Sequence, residues 1–172
     1  RLHQIEALLF EEDVLSNTAP LITQAEVMVS SAGDLHSLLY QFTITDAQIL
    51  ESLRIELIRM SVLSIAGYDA PLLKSGILET AAATATLHEV LRPYIEAWPL
   101  PGKPLSVILK NSYAYLTTHP DFDAFDRMEY LTEYALPLQK SLGLFIKELG
   151  LEINTTQFLN YEASDIYKGN AL

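Results

Sequence analysis

The sequence predicts an all-α fold: an up-and-down bundle of four to five helices with an irregular C-terminal tail. Apolar residues recur at steps of three and four along most of the chain, the signature of helices that bury one face. No stretch alternates apolar and polar residues for long enough to make a strand. Short joints containing Pro or Gly separate the periodic runs, as between antiparallel neighbours in a bundle. The length of 172 residues fits one domain, and such a domain buries about 70% of its unfolded surface without a disulfide or metal. The bundle is expected over residues 1–150. A tail or interdomain linker is expected over 151–172, where the period gives way to Asn154, Asn160, Gly169 and Asn170.

Ile5, Leu8 and Leu9 suggest a turn or two of helix at the start. The series Leu21, Ala25, Met28, Ala32, Leu35, Leu39 and Phe42 then holds one face for about six turns. Pro20 suits the first helical position, whose N–H has no partner in any helix. Gly33 marks a place where this helix can break, since glycine costs ~1 kcal/mol there. Thr45-Asp46-Ala47-Gln48 reads as a capping box. The helix it opens runs to residue 66 and is apolar on several sides, which predicts a central position. Gly67 stops it and Pro71 blocks its continuation.

A third helix is expected over residues 75–98, with small side chains at 80–86 that let a neighbour come close. Pro93 predicts a kink or an end. Residues 99–104, Pro-Leu-Pro-Gly-Lys-Pro, read as the clearest loop of the chain. Leu105, Ile108, Leu109, Ser112 and Leu116 mark a fourth helix beyond it. His119-Pro120-Asp121 is a connector, and Asp121 or Asp123 is the expected cap of a fifth helix. That helix keeps one face from Phe125 to Leu149, with a kink expected at Pro137 and a stop at Gly150.

Acids outnumber bases 22 to 11, a formal net charge of −11. That balance repels phosphate backbones, so no nucleic-acid partner is expected. Apolar residue types make up 49% of the chain, too many for a disordered acidic tail. No apolar run nears the ~20 residues of a membrane span, so no span is expected. The chain has no cysteine, which removes thiolate catalysis, Cys-based zinc sites and covalent haem attachment from it. It starts at Arg1 without a signal-peptide pattern and reads as a processed or trimmed product.

The histidines, at 3, 36, 88 and 119, stand apart. His88-Glu89 opens like a His-Glu-x-x-His zinc helix, but position 92 is Arg, so the motif fails. There is no Gly-x-Ser-x-Gly, no phosphate loop after a strand and no pair of Glu-x-x-His stretches. No catalytic, cofactor-binding or metal-ligating residue is therefore assigned. His88 reads as a partly buried helix residue, and His119 as a loop residue. What stands out is charge set among apolar neighbours. Arg54 and Arg59 follow Glu51 and Glu56 by three residues, a spacing that pairs along a helix. Asp69 lies in the corner at 67–71, Glu79 opens the Ala-rich helix, and Asp126 and Arg127 separate Phe125 from Met128. Together with Phe122 and Phe125 these form a candidate polar network or interface. It holds helix ends together or lines a pocket, or it is solvated charge contributing ~0–1 kcal/mol per pair. Tyr113, Tyr115, Phe122, Phe125, Tyr130 and Tyr134 read as core and rim packing.

The same residues carry a resemblance. Leu53-Arg54, Arg59, the run at 65–71, Glu79, the run at 115–131 and Tyr134-Ala135-Leu136-Pro137-Leu138 are its substance. They resemble the helical N-terminal region that precedes the haem domains in di-haem cytochrome c peroxidases of the Bacteroidetes type, which are similar to the MauG family. The resemblance covers residues 44–149 and is sharpest in Phe122-Asp123-Ala124-Phe125-Asp126-Arg127. It implies a periplasmic or cell-envelope location and an accessory, non-catalytic role. The partners it implies are the C-terminal haem domains of the same parent chain, an electron-donor protein or a second copy. The family's chemistry belongs to c-type haems, each fixed by Cys-x-x-Cys-His further along the chain, so no cofactor is expected in this stretch. The bundle is also similar to imelysin-like helical proteins of the bacterial envelope, although their Gly-x-His-x-x-Glu signature is absent. That second resemblance implies a standalone bundle holding a metal or small ligand near Asp69, Glu79, His88, Asp126 and Arg127.

Overall fold

The computed structural model describes residues 2–40 and 42–151. The expected tail at 152–172 lies outside them. The elements are α1 (Leu2–Leu9), a 3₁₀ turn (Val14–Asn17), α2 (Thr18–Leu39), α3 (Asp46–Arg59) and a π segment (Met60–Ile65). Then come α4 (Gly76–Ala97), α5 (Pro99–Thr118), α6 (Arg127–Tyr130), a second π segment (Leu131–Ala135) and α7 (Leu136–Glu148). The expected all-α bundle is the architecture. Four long helical runs build it: α3 with its π segment, α4, α5, and α6 through α7. Helices α1 and α2 form an N-terminal arm.

The start of α3 follows its sequence closely. Thr45 Oγ1 accepts from the Gln48 amide at 3.3 Å, and Gln48 Oε1 accepts from the Thr45 amide at 3.0 Å. The position of α3 does not follow. It buries Leu50, Leu53 and Leu57, but Ile55 is 44% exposed and Val62 in the π segment 52%. The centre belongs to α4 and α5, which pack against each other more extensively than any other pair. Small buried residues allow this: Thr80, Ala81 and Thr84 on α4 and Gly102 and Ser112 on α5. The buried threonines return their hydroxyls to the carbonyl four residues back, Thr80 to Gly76 at 2.7 Å and Thr84 to Thr80 at 2.8 Å.

The expected loop at 99–104 is the first part of α5. Trp98 alone joins α4 to α5. Pro99 and Pro101 fall among the first four helical positions, whose amides have no intrahelical acceptor, so their missing N–H groups cost nothing. Gly102 then closes the corner, since a Cβ there would lie 3.0 Å from Ile95 Cα. Helix α4 ends four residues beyond Pro93, close to where that proline predicts.

The fifth helix also departs from expectation in two places. Its cap is Asp126, whose carboxylate accepts from the Glu129 amide at 2.8 Å. Asp121 instead closes the preceding turn, taking the amides of Asp123 and Ala124 at 2.9 and 3.1 Å. The strain of Pro137 is absorbed as a π segment. Pro137 has no N–H for the Glu133 carbonyl, and the Leu136 amide bonds to Leu131, five residues back. The apolar face survives the shift: Leu136, Leu138, Leu142, Phe145 and Ile146 are buried.

The core has two parts. One joins α3, the second half of α4, the first half of α5 and α7 around Leu50, Leu91, Leu105, Leu109 and Phe145. The other gathers Ile65, Ile77, Leu116, Phe125 and Tyr130 at the opposite end. Helix α2 joins neither. It is unbroken at Gly33 and starts two residues before Pro20, yet none of its described side chains is buried. The expected core face of α2 is thus open, because the four runs of the bundle close on themselves without it. Its neighbour α1 is tied to the bundle by Glu6, which accepts from the Leu72 and Leu73 amides at 2.9 and 2.8 Å.

Candidate functional site

The end of the first π segment leaves carbonyls that no helical amide can reach. Glycine solves part of the problem. Gly67 takes φ +83°, a left-handed value that glycine adopts without a Cβ penalty. The chain can then turn so that the Tyr68 amide bonds Leu63 at 2.7 Å and the Gly67 amide bonds Ser64 at 3.0 Å. This is the Schellman arrangement. The Ile65 carbonyl is taken by Arg127, whose Nε donates to it at 2.9 Å. The same guanidinium donates from Nη2 to Phe122 O at 3.0 Å and from Nη1 to Phe125 O at 3.3 Å. Its central carbon lies 4.4 Å from the centre of the Phe122 ring, close enough for a cation–π contact. Phe122 in turn covers Gly67 so closely that a Cβ there would lie 2.4 Å from Phe122 Cζ. One clasp therefore joins the end of the first π segment, the connector at 119–126 and the start of α6.

Of the candidate residues, Phe122, Phe125, Asp126 and Arg127 come together in this clasp. Asp69 is half-buried at its edge, accepting from Ser64 Oγ at 3.4 Å. The others lie elsewhere. Arg54 is buried on α3 and pairs with Glu51 at 3.2 Å. Arg59 is exposed and pairs with Glu56 at 3.7 Å. Glu79 is exposed and accepts from Ser75 Oγ in the first turn of α4. A surface bridge links the clasp's connector to the 67–75 corner, Lys74 Nζ to Asp123 Oδ2 at 2.6 Å.

Behind the clasp the aromatic rings pack as expected. Tyr115 lies 4.3 Å from His119, 4.6 Å from Tyr134 and 5.6 Å from Phe125, centre to centre. The Tyr115 hydroxyl donates to Glu129 at 2.7 Å, and Tyr130 Oη meets Ser112 Oγ at 3.2 Å inside the core. Burial first, then the neighbouring carboxylate of Glu129, pushes the Tyr115 phenol far above its ordinary value. Burial also raises Tyr130. At the far end of α4, burial and the hydrogen bond to Asp46 lift Tyr94 to about 12. The fold thus favours the neutral phenol at all three. That contribution is complete below pH 10 and is lost as pH rises through the folded-state values. Alkaline absorbance titration should show Tyr94, Tyr115 and Tyr130 ionising late, as the chain unfolds. One step near pH 10 for all nine tyrosines in a folded chain would contradict it.

A groove of about 570 Å³ runs between α4 and α5. Thr84, Ala85 and Leu109 contribute to its wall, with His88, Lys110 and Tyr113. Of the residues that the imelysin-like resemblance would bring to a shared pocket, His88 lies here, while Asp69, Glu79, Asp126 and Arg127 do not line this groove. Among the described residues no three His, Asp or Glu side chains gather as a metal site, and no helix is long and apolar enough to cross a membrane. Gln139 escaped the sequence reading. It replaces an apolar residue on the inner face of α7, and its amide oxygen and nitrogen are buried with no hydrogen-bond partner among the described residues. Its signal was its register, four residues after Ala135 and three before Leu142. No protein-family model matches the chain, and no curated protein or solved structure matches it.

Proposed function

We propose that the chain is a non-catalytic accessory domain that docks within a periplasmic or cell-envelope di-haem cytochrome c peroxidase-like protein. The clasp is the observation that supports this reading. The string at 122–127, on which the resemblance chiefly rests, spends its side chains on the backbone: Asp126 caps α6, Phe122 covers Gly67, and Arg127 takes the carbonyls of Ile65, Phe122 and Phe125. A string used in this way fixes shape, as a docking domain requires, and presents no paired acid and base for chemistry. In this reading the haem domains of the same parent chain carry the c-type haems. The test is to produce those haem domains with and without this bundle. Lower stability, assembly or turnover without it is expected. Unchanged behaviour, or a haem-negative natural chain that stops near Leu172 on a stained gel, would sink the reading.

The groove between α4 and α5 favours a second reading, an imelysin-like envelope bundle that takes a small ligand there. Scanning calorimetry with divalent metals and with haem addresses it. A ligand that binds the native state must raise its melting temperature, so no shift at high ligand would remove this alternative.

A further inference from the structure

The groove between α4 and α5 is lined from these two helices alone, and the polar groups along it fall into two sets. One set is already satisfied. Thr84 Oγ1 donates to the Thr80 carbonyl at 2.8 Å, and Thr86 Oγ1 to the Ala82 carbonyl at 3.1 Å. The carboxylate of Glu89 is paired with Arg92 at 3.1 Å. The other set is His88, Lys110 and Tyr113. Among the described residues their imidazole, ammonium and phenol groups have no hydrogen-bond or ion-pair partner. Lys110 and Tyr113 stand three residues apart, on one face of α5. We infer that the groove takes a small amphipathic carboxylic acid. Its hydrocarbon part would lie on Ala85 and Leu109, and its carboxylate on Lys110, with Tyr113 and His88 beside it. The inference rests on the second reading above, that the groove takes a small ligand, and names the chemistry of that ligand.

Size and charge select this class. A volume of about 570 Å³ falls within the range of small-molecule sites. Lysine can only donate hydrogen bonds, and a phenol and an imidazole can each donate as well. A matching ligand must therefore bring acceptors, and a carboxylate is a strong acceptor for an ammonium. A bare anion would leave the apolar part of the wall in water, so the ligand needs hydrocarbon too. Residues 84–89 of α4 span roughly 8 Å at about 1.5 Å per residue, which suits a chain of about eight carbons. The net charge of −11 does not forbid an anion here. Exposed charges more than ~8–10 Å away are largely screened at physiological salt, and the one acid on the groove wall is held by Arg92.

Octanoate is the probe, with octanol, octylammonium and acetate as controls, titrated into the 172-residue chain and followed by amide NMR shifts. Octanoate should bind with a Kd of about 0.1–1 mM, in keeping with its roughly ten non-hydrogen atoms. The shifts should fall on residues 84–89 and 109–113. Octylammonium lacks the acid and acetate lacks the chain, so each should bind at least ~10-fold more weakly. Lys110→Glu should weaken octanoate ~5–10-fold. Ala85→Trp should fill the groove and abolish binding. Both positions are exposed, so the helical circular dichroism should be kept. No binding of octanoate would overturn the inference. So would octanol or octylammonium binding as tightly, which would make the groove an apolar crevice with no preference for an acid. Octanoate binding that survives both substitutions would overturn it too, by placing the ligand elsewhere. The second reading is judged apart from this one. It stands if octanol, octylammonium or a divalent metal binds in the groove where octanoate does not, and it falls only if nothing binds there.

Discussion

Gly76→Ala is expected to destabilise the bundle by about 3 kcal/mol or more, a large share of the ~5–15 kcal/mol that holds a domain folded. The first residue of α4 lies directly on the end of the first π segment. A Cβ on Gly76 would stand 2.0 Å from the Ser64 carbonyl oxygen and 2.8 Å from its carbon. Those are backbone atoms of a packed helix, and no rotamer change can move them aside. The new methyl would push α4 off its neighbour, loosening Ile77 and Ala81, which are buried in the core beneath. Denaturant unfolding would read the loss as a lower midpoint with little change in slope. Gly33 and Gly143 are the controls. Both are inside helices with nothing within 4 Å of the would-be Cβ, so Ala at either should stabilise by ~0.5–1 kcal/mol. A similar loss at all three positions would show that close approach at Gly76 is not the cause.

Arg127→Met should cost about 2–4 kcal/mol. The guanidinium satisfies carbonyls of Ile65, Phe122 and Phe125 at once, and hydrogen bonds from a charged group contribute more than neutral ones. Methionine would keep much of the packing over Phe122 and leave the acceptors to find water. Arg127→Lys separates geometry from charge. A lysine carries the charge but not the planar fork that reaches three acceptors, so it should recover less than half of the loss. Thermal unfolding of the three proteins gives the comparison, and amide exchange in the 66–69 corner locates the damage. A lysine variant as stable as the natural chain would mean that the charge, not the fork, closes the clasp.

What the sequence disclosed depends on how far apart the interacting groups lie. The Thr45–Gln48 box, the helix stops at Gly67 and Gly150, which both take positive φ, and the faces of α5 and α7 are decided within a turn or two, and they read correctly. The Pro-Leu-Pro-Gly-Lys-Pro run misled because proline punctuates most loops. In this chain its prolines fall mainly where a helix needs no amide donor. Helix α2 misled for a different reason. Periodicity says which side chains are fit to be covered, and it is silent on what covers them. The site was half legible. Asp126 and Arg127 stood out as charges between Phe125 and Met128, but the Ile65 carbonyl that explains Arg127 is 62 residues away in sequence. Nothing local distinguishes Arg127, which ties two segments together, from Arg59, which sits in solvent beside Glu56.

The single-residue joint at Trp98 bears on how the chain reaches this fold. The two helices that pack most extensively are also neighbours in sequence, so bringing them together closes almost no loop. Contacts of short sequence separation form fast because little chain entropy is lost before they are rewarded. The α4–α5 hairpin is therefore the expected nucleus, with α3 and α7 condensing on it and on each other. Long-separation links such as Arg127 to Ile65 would form afterwards. Core substitutions at Leu91 or Leu105 should then slow folding, whereas loss of the clasp should mainly hasten unfolding. Stopped-flow kinetics on the same variants would show whether the order is reversed.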